Sequence, residues 1–163
     1  MKNLLFTLAV AIVTLVSGCS KRDPHAGHDH SAHATPKHEH KAPHGGTPVV
    51  LGKEAFHLEL VRDAATGKLT AYVLDGEMEN FIRIYAGSFE VAVTAGSAQR
   101  RLTFKSVANT ATGETVGDSS QFEAQADWLK TTAVFDAVLT SLEIRGTTFS
   151  AVAFNFPKGN DKD

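Results

Sequence analysis

Cysteine is nearly absent from this chain. Its 163 residues include one, Cys19, so the chain cannot form an internal disulfide and cannot offer a thiolate cluster to a metal. Any metal site must therefore use nitrogen and oxygen donors. Long hydrophobic runs are missing too: Leu4 to Val16 is a run of only 13 residues, short of what a helix needs to cross a ~30 Å hydrocarbon core. Charge of one sign is lacking, with 16 basic against 18 acidic side chains. Without basic clusters the chain carries no signature of nucleic-acid binding. The motifs of common enzyme classes are absent as well: no HExxH, no phosphate-cradling glycine loop, no nucleophile motif. The expectation is a protein that is not an enzyme.

The first residues read as delivery machinery. Lys2 supplies a positive n-region, Leu4–Val16 an apolar h-region, and Val16-Ser17-Gly18 leads by small residues into Cys19. This resembles the lipobox of bacterial lipoproteins, which implies removal of residues 1–18 and lipidation (palmitate or a similar acyl chain) of Cys19. The expected partner is then a membrane, reached through that anchor, with the protein facing the periplasm in the bacterial cell envelope. Loss of Lys2 leaves 15 basic and 18 acidic groups, a net charge of 15 − 18 = −3 with neutral imidazoles. Imidazole titrates near ~6.5, so protonating the histidines would reverse that sign within ordinary environmental pH.

Residues 20–43 contain no Val, Ile, Leu, Phe, Tyr or Trp. Such a segment buries too little apolar surface to offset its chain entropy, so 19–43 is expected to be a disordered tether. What it has is histidine. Seven of the eight histidines fall between His25 and Gly46: His25, His28, His30, His33, His38, His40 and His44. Two H-acid-H triplets stand out, His28-Asp29-His30 and His38-Glu39-His40. Neutral imidazole is a good ligand for Zn, Cu, Ni and Co, and the interleaved carboxylates add oxygen donors. A divalent transition metal is therefore the expected cofactor, its identity open between those four. The other reading keeps the tract as a spacer or pH-responsive linker, for a non-enzymatic protein-interaction module.

From Thr47 the pattern changes to short alternating runs punctuated by Gly and Asp, which predicts an all-β domain over 44–157 and a polar tail over 158–163. Strands are expected at Thr47–Leu51, Ala55–Val61, Lys68–Leu74, Phe81–Tyr85, Phe89–Thr94, Arg101–Val107 and Gln121–Ala126, with a final hairpin over 141–156. One short helix is expected from Asp127, which would act as its N-cap; Trp128, Thr132, Phe135 and Leu139 fit a helical face, although Thr131-Thr132 argues for only one or two turns. The fold class is an antiparallel β-sandwich or partly open barrel. Trp128 and the nine phenylalanines beyond residue 18 supply its core.

His57 is the one histidine inside this domain. In its strand it alternates with Phe56 and Leu58 and shares a face with Glu59. If Thr47–Leu51 packs beside Ala55–Val61, then His44, His57 and Glu59 converge as candidate metal ligands. The acidic turn Asp75, Glu77, Glu79 is placed to add another.

Pro43-His44-Gly45-Gly46, Phe56–Val61 and Ala71–Asp75 together resemble a segment of periplasmic adaptor (membrane-fusion) proteins of heavy-metal efflux pumps, and of small His-rich bacterial lipoproteins carrying that segment alone. The similarity covers about residues 25–75, under a third of the chain. It implies envelope location, transition-metal handling, metal-efflux components as partners, and His44, His57, Glu59 and Asp75 as candidate ligands. The long α-hairpin of a complete adaptor is missing.

Overall fold

The computed structural model describes residues 41–161. The expectations for the signal segment, for Cys19 and for His25, His28, His30, His33, His38 and His40 lie outside the described residues, which belong to a unit spanning His38–Asp163.

Eight strands form: β1 (Thr47–Leu51), β2 (Phe56–Asp63), β3 (Lys68–Asp75), β4 (Ser88–Ala95), β5 (Ala98–Ser106), β6 (Gln121–Gln125), β7 (Phe135–Ile144) and β8 (Thr147–Phe156). They make one antiparallel sheet in the order β1-β2-β3-β6-β5-β4-β7-β8, curled so that it nearly closes into a barrel. Alternation drives this. Phe89, Val91 and Val93 of β4, Leu102 and Phe104 of β5, and Phe122 and Ala124 of β6 are all buried, as the period of a strand with one inward face requires. Phe89 stacks on Phe104 at 4.8 Å, and Phe135 on Phe156 at 5.0 Å. Of the nine domain phenylalanines seven are buried; Phe56 is half-buried against them. Phe81 departs from the expected core, being 47% exposed.

The last hairpin keeps its apolar residues inside only by breaking step. Phe135, Ala137 and Leu139 point inward, and then Leu142 and Ile144 do. The register with β4 jumps from Val91↔Leu139 to Glu90↔Ser141, which leaves Thr140 as the extra residue of a β-bulge. On β8 the inward set shifts parity between Phe149 and Phe154, beside Ala151 with its φ of 53°.

The closing seam is made by a side chain. The Val50 N–H donates to Asn160 Oδ1 at 2.7 Å, and Asn160 Nδ2 donates to the Val50 carbonyl at 3.1 Å. One carboxamide thus satisfies β1 as a neighbouring strand would. The segment expected as a polar tail includes this clasp, with Gly159 buried against Pro48.

Two local expectations change. The helix is a single 3₁₀ turn, Asp127–Lys130, whose N-cap is Ala126, and Asp127 bonds Lys130 instead of capping. Phe135 and Leu139 are four apart, a spacing that fits both periods, and intervening Ala137 decides for strand. Phe81–Tyr85 forms no strand; Phe81 and Ile84 make isolated bridges to Leu74 and Ser119. The alternation there reflects an extended connection that buries Ile82 and Ile84.

Candidate functional site

On β2 both faces are covered. Leu58 and Leu60 face the barrel interior, while His57 and Glu59 lie on the outer face yet are only 1% and 0% exposed. Cross-strand register sets their neighbours: Glu59 sits between Pro48 and Tyr72, and His57 between Val50 and Leu74. Across β3, Tyr72 pairs with Gln121 of β6. Pro48, Glu59, Tyr72 and Gln121 therefore form one row across the outer face.

A buried carboxylate needs donors, and the chain entering β1 supplies them. Gly45 N–H donates to the Ala42 carbonyl at 3.0 Å, closing a turn in which Gly45 adopts a φ of 67°. That left-handed residue turns the N–H groups on either side toward one point. His44 N–H and Gly46 N–H both donate to Glu59 Oε1, at 2.7 and 2.9 Å, an anion-binding nest. The second oxygen, Oε2, lies 2.8 Å from His44 Nδ1. The His-Gly-Gly sequence is thus a clamp on one carboxylate.

The imidazole is held from its faces too. It lies on the Tyr72 ring at 3.9 Å and an interplanar angle of 14°, with Phe81 at 5.7 Å. Burial, and then the negative charge of Glu59, push the Tyr72 phenol up, so it stays protonated at neutral pH. These three rings border a cleft of about 370 Å³ whose other walls come from the β3–β4 connection (Arg83), the β5–β6 connection (Thr112 and Glu114) and Gln121 of β6. Arg83 is paired with Asp118 and fixes those connections to each other. Glu114 accepts from Ser120 N–H and Oγ and from Thr112 Oγ1, at 2.7, 2.6 and 2.7 Å. Burial disfavours its charge, but these hydrogen bonds and nearby Arg83 outweigh that and hold its carboxyl below the usual range.

The candidate ligands are only partly brought together. His44 and Glu59 meet. His57 donates from Nδ1 to the Asp75 carbonyl at 3.2 Å. The Asp75 carboxylate caps its own turn, accepting from Glu79 N–H, Asn80 N–H and Asn80 Nδ2. Among the described residues no group of three or more His, Cys, Asp or Glu side chains is arranged to hold a metal ion. Of the residues expected to converge, His44 and Glu59 are in contact, with Glu59 serving as a hydrogen-bond partner. Sequence reasoning missed Tyr72 and Phe81 as the supports of His44. The signal available was register: Tyr72 stands opposite Glu59.

Comparison with known proteins returns nothing. No protein-family model matches the chain, and neither a curated protein nor a solved structure matches it.

Proposed function

We propose that this is a lipid-anchored protein of the bacterial cell envelope that binds and buffers divalent transition metal ions through its histidine segment, in metal homeostasis or efflux. The observation that carries the reading is the concentration of seven of eight histidines between His25 and Gly46, the last of them, His44, seated at the barrel's edge. A barrel core has no need of that composition, whereas borderline cations bind imidazole well. The acidic residues within each H-acid-H triplet favour a cation over an anion.

The architecture suits capture. Cys19, when acylated, anchors the chain to a membrane. Between it and β1 lie seven of the chain's eight histidines, interleaved with acidic residues. Such a segment binds several ions with modest affinity and limited selectivity, which is what a buffer near a metal pump requires.

Competition of the full chain against a chromophoric zinc chelator tests this. Replacing His25, His28, His30, His33, His38 and His40 by Ala is expected to abolish most bound zinc while the barrel's β-sheet circular dichroism persists. Equal zinc uptake by both proteins would contradict it.

A further inference from the structure

The cleft beside His44 brings together an exposed aromatic ring and a buried carboxylate with no cation of its own. We propose that this cleft is a binding site for a small protonated amine with an apolar body, its ammonium group drawn by Glu114 and by the face of the Phe81 ring. Every residue it uses lies between His44 and Gln121, and it is independent of metal binding by the histidine segment.

Glu114 is 6% exposed, and taking a carboxylate out of water is costly unless a positive charge or good donors meet it. Its donors are neutral: Ser120 N–H, Ser120 Oγ and Thr112 Oγ1. Among the described residues the one permanent cation bordering the cleft is Arg83, and its guanidinium is engaged elsewhere. Two of its nitrogens donate to the two oxygens of Asp118, and one of them also reaches the Gly113 carbonyl. Four carboxylates, Glu59, Glu114, Asp118 and Glu123, thus stand around the cleft against two cations, Arg83 and Lys68. The Tyr72 phenol registers that excess: after burial, Glu59 and Glu123 push its pKa up against the opposing Lys68. A cation entering here is attracted and an anion repelled.

The walls favour an organic cation over a metal ion. At about 370 Å³ the cleft lies toward the lower end of small-molecule sites, roughly 300–1,000 Å³. Among the described residues no three ligating side chains converge to hold a metal. Phe81 is 47% exposed and meets the Tyr72 ring at 5.9 Å and 62°. An aromatic ring left in water near a negative charge offers an ammonium ion its π face and an alkyl or aryl body its apolar surface. Acceptors for the N–H groups are present as well. With Nδ1 of a neutral His44 donating to Glu59, Nε2 holds a lone pair. Neither that nitrogen nor Gln121 Oε1 takes a hydrogen bond from the described residues, and Glu114 Oε2 accepts only one. The Arg83–Asp118 pair ties the two connections together, so little ordering is left for the ligand to bring about.

Benzylamine is the probe, with benzyl alcohol and benzoate as its neutral and anionic counterparts. Each is titrated into the full chain at neutral pH and followed in ¹H–¹³C spectra of the aromatic rings, with EDTA present to exclude amine held through an adventitious metal. Benzylamine should shift the Phe81 and Tyr72 signals saturably. It should bind roughly tenfold more tightly than benzyl alcohol, and benzoate should not bind. Glu114→Gln keeps the size of the side chain without its charge, and Phe81→Leu keeps apolar bulk without a π face. Either change should erase most of the preference for the amine, while circular dichroism shows the barrel intact. Should a variant fail to fold, the ranking of the three probes on the wild type decides. Equal binding of benzylamine and benzyl alcohol, shifts confined to residues outside the cleft, or an undiminished preference in folded Glu114→Gln would overturn the proposal.

Discussion

Gly46 and Glu59 approach so closely that no side chain fits between them. A Cβ on Gly46 would lie 2.8 Å from Glu59 Cγ and 2.7 Å from the Leu60 carbonyl oxygen. That closeness lets the Gly46 N–H reach the buried carboxylate. Gly46→Ala should therefore push the entering strand away from β2 and loosen His44 with it. A loss of about 1–3 kcal/mol is expected from denaturant unfolding. The His44 ring signals should also lose the upfield shift caused by stacking on Tyr72. A neutral substitution would show that the approach is not needed.

Asn160 stands in for a strand at the seam, bonding both the N–H and the carbonyl of Val50. Asn160→Ala leaves those groups to find water or remain unpaired, at a cost of about 1–3 kcal/mol. For a domain of this size that is a fall in thermal midpoint of several degrees, and amide exchange at Val50 should accelerate. Unchanged exchange would mean that the clasp does not close the barrel.

Glu114 gives the cleft an acid-sensitive wall. Its folded pKa lies below the ordinary 4.5. Its stabilising contribution is thus present above that value and lost as pH falls through the depressed one. Asp63, Asp75 and Asp127 are also lowered, so acid unfolding has several contributors, and Glu114→Gln isolates one. Its stability curve should be flatter than wild type as pH falls below 4.5, as measured by denaturant midpoints. Parallel curves would remove Glu114 from the account.

On the proposed lipid-anchored reading, membrane attachment depends on the Cys19 sulfur. Cys19→Ser should move the protein from the membrane to the soluble fraction of envelope preparations, and the intact mass should lose the diacylglyceryl group. Persistence in the membrane fraction would call for a different anchor.

The strands were legible where apolar residues recur at every second position, as at Phe89–Val93, and where turns are marked by Gly or Asp. Failures came where one spacing served two periods. Phe135 and Leu139 fit a helix as well as a strand, and only pairing with Phe156 and Val91 makes the choice. Ile82 and Ile84 alternate like a strand yet belong to a connection, because backbone pairing there is limited to bridges. The candidate site was half legible. His44 and Glu59 could be paired from composition and strand adjacency, but the role of Glu59 could not. A carboxylate with two backbone donors on one oxygen looks the same in sequence as a ligand. Tyr72 and Phe81 were hidden because stacking depends on register and on the path of a loop, neither of which is written in local pattern.

X-ray absorption at the zinc edge of the full chain, loaded with one equivalent of zinc, tests the central claim most directly. The account predicts a first shell of nitrogen and oxygen at about 2.0–2.1 Å with no sulfur contribution, and outer-shell scattering from more than one imidazole. A shell of water oxygens alone, or sulfur at about 2.3 Å, would contradict it.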